Sequence, residues 1–245
     1  MSELVADFVL QRLREWGIHR VYGYPGDGIN GFLGAFERVG EDPEFTQVRH
    51  EEMAAFMACA HAKFTGEIGC CIATSGPGAV HLLNGLYDAK LDHQPVLALI
   101  GQQKRFSMGA HYQQEVDLQS LFKDVSVFCN TCAHPGAARH LIDRAIRSAL
   151  GERGVATIIF PADVQEESAM DSPPRMHGAV YSSIGYAKPR ILPQEEDLDR
   201  AAEILNASEK PAILIGQGAG GTGRDGRAAR RGRGQDAARP GGAAG

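Results

Sequence analysis

The sequence predicts an α/β fold: a doubly wound, six-stranded parallel sheet with helices on both faces, followed by a linker and an incomplete second α/β domain. Continuous small apolar runs, such as residues 68–73 and 155–160, are typical of parallel strands that are buried on both faces. Helical patterns of about a dozen residues separate these runs, and this alternation indicates right-handed β-α-β crossovers. We expect the first domain to span residues 1–164.

The first half of this domain alternates helix and strand. A helix is predicted at residues 4–16, because apolar residues recur there at helical spacing and Gly17 is typical of a helix end. The strand 18–24 and the helix 29–39 flank a Pro-Gly turn, and the strand 45–48 leads directly into the helix 51–64. In that last helix we expect one apolar stripe to face the core: Met53, Phe56, Met57, Ala60 and Phe64.

The second half repeats the alternation. The strand 68–73 ends in a Gly-Pro-Gly turn and precedes the helix 79–91. The strand 95–100 leads through the polar loop 104–115 to a short helix at 118–122. The last elements predicted are the strand 125–128, the helix 135–150 and the strand 155–160.

The chain changes character after the first domain. Residues 165–191 lack sustained periodicity and contain proline-rich stretches, which indicates an extended linker. Residues 192–216, a helix at 193–206 and a strand at 211–216, begin a central domain. Residues 217–245 contain no Ile, Leu, Val, Phe or Met, so we expect a disordered tail of Gly, Ala and Arg.

Two explanations of this tail stay open. It is a flexible terminus, or it is the product of a frameshift in a GC-rich gene, because Gly, Ala, Arg and Pro all have GC-rich codons. We favour the frameshift, since one helix and one strand do not make a foldable domain.

Composition excludes several classes of protein. The net charge of −5 argues against a nucleic-acid partner. We expect no signal peptide, because residues 1–9 include Glu3 and Asp7, and no membrane span, because no apolar run approaches the required length. We therefore expect a cytoplasmic protein. Its five cysteines suit reduced thiols, and we interpret Cys129 and Cys132, despite their C-x-x-C spacing, as structural.

Four predicted strands end in residues that can line one crevice: Pro25-Gly26, Glu51, Ser75-Gly76 and Gln102-Gln103. The carboxyl ends of parallel strands are where open α/β sheets bind ligands. A partly desolvated Glu51 could share a proton with a ligand nitrogen, but a solvated glutamate at a helix N-terminus explains it equally well. For Glu52 we expect the solvated role.

The motifs in this crevice resemble a known family. Tyr-Gly-Tyr-Pro-Gly at 22–26, the run 48–58 around Glu51, Thr-Ser-Gly-Pro-Gly at 74–78, the run 81–89 and the stretch 92–102 are similar to the N-terminal, pyrimidine-binding domain of thiamine-diphosphate-dependent 2-oxo acid enzymes. The pyruvate oxidase and acetolactate synthase branch is the most similar. The resemblance covers residues 2–165 in order and spacing and extends to residue 218, within a chain that looks truncated.

The resemblance implies roles for single residues. Glu51 would hydrogen-bond a pyrimidine nitrogen of thiamine diphosphate and promote the tautomer that activates the cofactor for decarboxylation of a 2-oxo acid such as pyruvate. Further cofactor contacts would come from the backbone at Pro25, Gly26, Ser75 and Gly76, from Asn84 beside them, and from Gln114, which would reach the active site across a dimer interface.

The resemblance also implies partners and cofactors. The family uses thiamine diphosphate with Mg²⁺, and FAD in the oxidase branch, in homodimers or tetramers that act on small 2-oxo acids. The Gly-Asp-Gly at 26–28 is not followed, roughly 25–30 residues on, by the Asn-rich segment of the magnesium motif, so we predict no metal ligands. The G-x-G-x-x-G at 216–221 lacks a following helix and so lacks its confirming context. A dinucleotide-binding protein is a weaker alternative, because no glycine fingerprint follows the first strand.

Two hypotheses about function follow. The chain is half of the site of a decarboxylating enzyme such as pyruvate oxidase or acetolactate synthase, and is inactive alone. The alternative is a non-catalytic, cofactor-binding or dimerising fragment that needs a partner with the diphosphate and magnesium domain.

Overall fold

The computed structural model describes residues 3–170 and 176–212. The chain divides into two compact units, Met1–Lys188 and Pro189–Gly245. The strands are β1 (Arg20–Gly23), β2 (Glu44–Gln47), β3 (Gly69–Ala73), β4 (Val96–Gln102), β5 (Ser126–Thr131) and β6 (Val155–Pro161). The helices are α1 (Val5–Glu15), α2 (Asn30–Val39), α3 (Glu51–Thr65), α4 (Pro77–Leu91), α5 (Leu118–Lys123), α6 (Ala138–Glu152), α7 (Ala162–Gln165) and α8 (Glu195–Asn206).

The six strands form one sheet in the order β2-β1-β3-β4-β6-β5, and every pair of neighbours is parallel. The predicted fold class is therefore confirmed. The strands β3, β4 and β6 are buried along their whole length, as their continuous apolar runs predict. The edge strands β2 and β5 are partly exposed and more polar.

Side chains alternate along the buried strands and build one core on each face of the sheet. Ile72 of β3 and Leu99 of β4 lie in the core that includes α1, α2 and α6. Their neighbours Cys71 and Ala98 point the other way and lie in the core that includes α3, α4 and α5. This period of two places helices on both faces of the sheet.

The predicted orientation of α3 is wrong. Met53, Phe56, Met57 and Phe64 are 47%, 41%, 36% and 89% exposed. The helix instead buries small residues: Ala54, Ala55, Ala58, Cys59 and Ala62. The reason is its close contact with α4, where a Cβ atom at Gly85 would lie only 2.5 Å from the Phe56 backbone nitrogen. We call the exposed side chains of Met53, Phe56, Met57 and Phe64 the α3 outer face.

A buried ion pair joins α1 to α6. Arg12 donates from Nε and Nη2 to the two carboxylate oxygens of Asp143, each at 2.8 Å, and Trp16 Nε1 donates to the same carboxylate at 2.7 Å. Ser182, from the irregular segment after residue 175, also donates to it. Burial opposes ionisation of Asp143, but the hydrogen bonds outweigh it and lower the pKa of its carboxyl group.

All five cysteines are free thiols. Desolvation raises the pKa of Cys129 to about 11 and that of Cys132 to about 12. Both thiols are therefore protonated at neutral pH, which agrees with a structural role.

The second unit contributes the helix α8, close to the predicted 193–206. Residues 211 and 212 have no regular structure, and the rest of the predicted strand lies outside the described residues. The glycine motif at 216–221 and the predicted tail 217–245 also lie outside them. In the part of the chain that is described, no helix is both long enough and apolar enough to cross a membrane.

Candidate cofactor site

The candidate site lies at the carboxyl edge of four neighbouring strands. The sheet order places β2, β1, β3 and β4 side by side, so the segments that follow them meet at one edge. These segments are the ones that the sequence singles out: the start of α3 after β2, the Pro25-Gly26 turn after β1, the Ser75-Gly76 turn after β3, and Gln103 after β4. Their predicted convergence follows from the parallel sheet.

Thr74 ties the β1 turn to the β3 turn. Its Oγ1 accepts a hydrogen bond from the Gly28 backbone N–H at 2.9 Å. A Cβ atom at Gly26 would lie 2.6 Å from the Thr74 Cβ, so only glycine allows this approach. Thr74 was not predicted as a site residue, because its role is a contact between two turns that are distant along the chain.

The Ser75-Gly76 turn begins α4 and lies against the loop after β4. Gly76 has a φ of 61°, and Pro77 occupies the first turn of the helix. Ser75 is 1% exposed, and its Oγ accepts from Gln103 Nε2 at 3.1 Å. A Cβ atom at Gly76 would lie 2.6 Å from the Gln114 carbonyl oxygen, so Gln114 contacts this turn within its own chain.

Glutamine amides hold the loop in that position. Gln103 Nε2 also donates to the Gln113 carbonyl at 2.7 Å, and the buried Gln102 donates to the Val116 carbonyl at 3.1 Å. Within the loop, the Glu115 carboxylate accepts from the backbone N–H groups of Gly109 and Tyr112, which lowers the pKa of Glu115. The loop therefore has a defined conformation beside the glycine turn.

Glu51 is the buried carboxylate of the site, with 8% of its surface exposed. It is the first residue of α3, where the helix dipole favours a negative charge. Its Oε2 lies 3.0 Å from His81 Nδ1, and its Oε1 faces Gly78, where a Cβ atom would lie 2.9 Å away. The first turns of α4 therefore contact the buried Glu51. The apolar residues that were expected to surround it, Met53, Phe56 and Met57, are exposed instead.

Glu52 has a different environment. It is partly exposed, and its Oε1 accepts from Asn84 Nδ2 at 2.7 Å. Asn84 therefore joins α4 to α3 through Glu52. The two adjacent glutamates therefore contact different parts of α4: Glu51 lies against its first turns, and Glu52 bonds to Asn84 at a more exposed point.

Two histidines lie beside Glu51. His50 caps α3 by accepting from the Glu52 backbone N–H at 3.3 Å, and its ring lies 4.3 Å from the ring of His81 at an angle of 31°. His81 was not predicted as a site residue. Its position in the sequence was the available signal. His81 lies about one helical turn after Gly78 in α4, the helix that follows β3, and β3 is separated from β2 in the sheet only by β1.

Comparison with known families decides what this domain is. Residues 4–121 match the family model described as "Thiamine pyrophosphate enzyme, N-terminal TPP binding domain". This N-terminal domain belongs to the thiamine pyrophosphate enzyme family. The match includes β1 to β4 and the whole of the site described above.

Curated relatives of this TPP-binding domain agree with the family match. The chain is 43% identical over 206 residues to a putative thiamine pyrophosphate-containing protein of Bacillus subtilis, covering 84% of this chain and 35% of that protein. It is 38% identical over 221 residues to pyruvate oxidase of Lactiplantibacillus plantarum, covering 89% and 35%, and 33% identical over 220 residues to the acetolactate synthase isozyme 2 large subunit of Escherichia coli, covering 88% and 37%. The chain thus spans about a third of the length of these relatives.

The family implies thiamine diphosphate, and the TPP-binding domain has features that suit its pyrimidine ring. A buried carboxylate with one oxygen facing a glycine-lined turn can share a proton with a ring nitrogen. The glycines at positions 26, 76 and 78 leave backbone accessible where any larger residue would collide with a neighbour.

Proposed function

We propose that this domain binds the aminopyrimidine ring of thiamine diphosphate and forms one half of the active site of a 2-oxo acid decarboxylating enzyme. The supporting observation is the state of Glu51. It is buried, its Oε2 is held by His81, and its Oε1 faces the glycine-lined turn that begins α4.

Each part of the site has a task in this proposal. Glu51 holds or releases a proton at Oε1, opposite a pyrimidine nitrogen. The backbone at Gly26 and at Ser75-Gly76 positions the ring, and the loop that carries Gln114 limits access of water from the β4 side. Thiamine diphosphate, when bound, supplies the electron sink for decarboxylation.

We propose that the remaining half of the site comes from a partner. The α3 outer face is exposed immediately beside Glu51, and clustered apolar side chains of this kind are typical of an interaction surface. A partner that carries ligands for the diphosphate and Mg²⁺ would cover this face and complete the site, either in a dimer of similar chains or as a separate protein. The substrate would be a small 2-oxo acid.

Ligand-observed NMR tests the cofactor contact in the chain as it exists. Saturation-transfer difference spectra with thiamine diphosphate are suited to a weakly binding half-site. We expect transfer to the protons of the pyrimidine ring to exceed transfer to the thiazolium ring, and Glu51→Gln to abolish it. The matched control is Glu52→Gln, which keeps a side-chain oxygen to accept from Asn84 and should leave the transfer unchanged.

Two outcomes would contradict the proposal. One is the absence of any transfer to the pyrimidine ring at millimolar cofactor. The other is transfer of equal size in the wild-type protein and in the Glu51→Gln variant.

A further inference from the structure

We propose that His50, Glu51 and His81 form a binding site for one divalent transition-metal ion, such as Zn²⁺. One nitrogen from each histidine and one carboxylate oxygen lie within 4.8 Å of one another. Within the described part of the chain, this is the only group of three His, Cys, Asp or Glu side chains with such an arrangement. The inference stands independently of the proposed function.

The pair formed by Glu51 and His81 already has the spacing of two ligands on one metal. Glu51 Oε2 and His81 Nδ1 are 3.0 Å apart. Adjacent ligands on a metal at about 2.0–2.2 Å lie roughly 3 Å from each other. A metal ion can therefore replace the proton that these two atoms share, with little movement of either side chain.

His50 supplies the third ligand. Its ring lies over the ring of His81, and its side chain is 46% exposed, so it has room to turn toward the metal. Its Nδ1 makes two long contacts with Glu52, at 3.3 Å to the backbone N–H and at 3.9 Å to the carboxylate Oε2. Metal binding through Nδ1 gives up these contacts, and water can then satisfy the N–H group of this exposed helix N-terminus.

The scaffold under the ligands is rigid and its charge suits a cation. Glu51 and His81 belong to α3 and α4, whose backbones touch at Gly85, and helices position ligands better than loops do. The first turn of α3 carries the carboxylates of Glu51 and Glu52, which offset the partial positive charge of the helix N-terminus.

The donor atoms decide the class of metal. Two imidazole nitrogens and one carboxylate suit Zn²⁺, Ni²⁺, Cu²⁺ or Co²⁺, whereas Mg²⁺ prefers oxygen ligands. The exposed sides of both histidines leave further coordination positions open to water. The metal is held through Glu51 Oε2, whereas the pyrimidine ring of the proposed function faces Oε1.

Calorimetry and Co²⁺ spectroscopy test the proposal. The untagged, chelator-treated full chain is titrated with Zn²⁺, and Co²⁺ is used as the spectroscopic probe. We expect one ion per chain, and we expect His81→Ala and His50→Ala each to weaken binding by at least about tenfold. Zn²⁺ should raise the thermal midpoint of the wild-type protein and not that of the two variants.

A matched control is available in His19, which pairs with Asp42 at 2.8 Å but belongs to no such three-residue group. His19→Ala should leave the Zn²⁺ affinity unchanged. His50→Gln and His81→Gln repeat the test with less change in volume, and circular dichroism checks that each variant is folded.

The proposal is overturned by any of three results: no saturable Zn²⁺ binding, equal binding in wild type and in the His50 and His81 variants, or a thiolate-to-cobalt absorption band. The last result would assign the metal to cysteine. Because thiamine diphosphate binding is measured separately by NMR, loss of the metal site leaves the proposed function standing, and the reverse also holds.

Discussion

Two adjacent glutamates in this site, Glu51 and Glu52, have the same side-chain chemistry but different surroundings. Glu51 and Glu52 both bond to α4, but Glu51 is 8% exposed and contacts His81 near the start of that helix, whereas Glu52 is partly exposed and contacts Asn84 further along it. The helix rotates about 100° per residue, so the two side chains reach α4 at different points. Environment, and not residue type, separates a proton-sharing carboxylate from a solvated one.

This difference predicts unequal effects on catalysis. In a chimera that joins residues 1–188 to the remaining part of the Lactiplantibacillus pyruvate oxidase, Glu51→Gln should lower kcat by about 10²–10⁴-fold, because an amide cannot exchange the required proton. Glu52→Gln should change kcat only slightly. Steady-state turnover of pyruvate measures both, and equal losses from the two substitutions would contradict the assignment of roles.

The sequence predicts the site at the residue level only in part. Glu51 and the Ser75-Gly76 turn could be found because each directly follows a recognisable strand, and parallel strands bring their ends together. Thr74 and His81 were missed, since their importance lies in contacts with Gly28 and Glu51 across the sheet edge. Such contacts depend on side-chain direction, which spacing alone does not fix.

At the scale of elements, α3 shows how a helix can be predicted correctly while its buried face is predicted wrongly. Apolar residues occur on more than one side of it, and the largest ones form the stripe that was expected to be buried. Close packing against α4 and the sheet admits only the small side chains, such as Ala55 and Ala58. Hydrophobicity predicts which helices pack against the core. The space available in the core decides which face of each helix is buried.

The contact of α1 with α6 predicts a large stability effect. Asp143→Asn should destabilise the protein by about 3–5 kcal/mol, because it removes the buried charged partner of Arg12 and leaves only the partly exposed Glu15. Urea unfolding followed by fluorescence of Trp16, the single tryptophan, measures the change. The control is Asp124→Asn, which removes an exposed pair with Lys90 and should have little effect. A loss for Asp143→Asn no larger than for the control would contradict the buried pair.

The same ion pair predicts a dependence on pH. Since the pKa of Asp143 is lower in the folded than in the unfolded protein, its contribution is complete above the unfolded value, about 3.9, and is lost as the pH falls through the folded value. Urea midpoints measured between neutral pH and pH 3 should converge for wild type and Asp143→Asn at the acid end. A difference between them that is constant over this range would contradict the prediction.

For the molecule as a whole, the sequence predicts the sheet well and the later residues less well. Regular alternation of strands and helices leaves few possible topologies, and the observed order is one of them. The structure differs from the prediction at some boundaries, as in β4, which runs to Gln102. It also contains the short helix α7, which was not predicted. The predicted strand at 211–216 lies largely outside the described residues, and so does the predicted tail.

The division into two units predicts that trypsin cuts near their boundary before it cuts at the loop residue Arg105. Arg190 lies in exposed, irregular backbone just after the end of the first unit. Arg105, although in a loop, is held by Asp163 and Glu167. Limited trypsin digestion followed by mass spectrometry should therefore give early cleavage after Arg190 and leave a stable fragment that contains the first unit. Cleavage after Arg105 before Arg190 would contradict this order.

The α3 outer face also has a chemical consequence. Met53 and Met57 are 47% and 36% exposed on this face, so mild peroxide should convert their thioethers to sulfoxides. The added oxygen makes a flexible apolar side chain polar. Oxidation would therefore weaken the binding of a partner to this face before it disturbed packing in the core. Peptide mapping of the two sulfoxides thus provides a footprint, in which methionines covered by a partner are spared and those left open are oxidised.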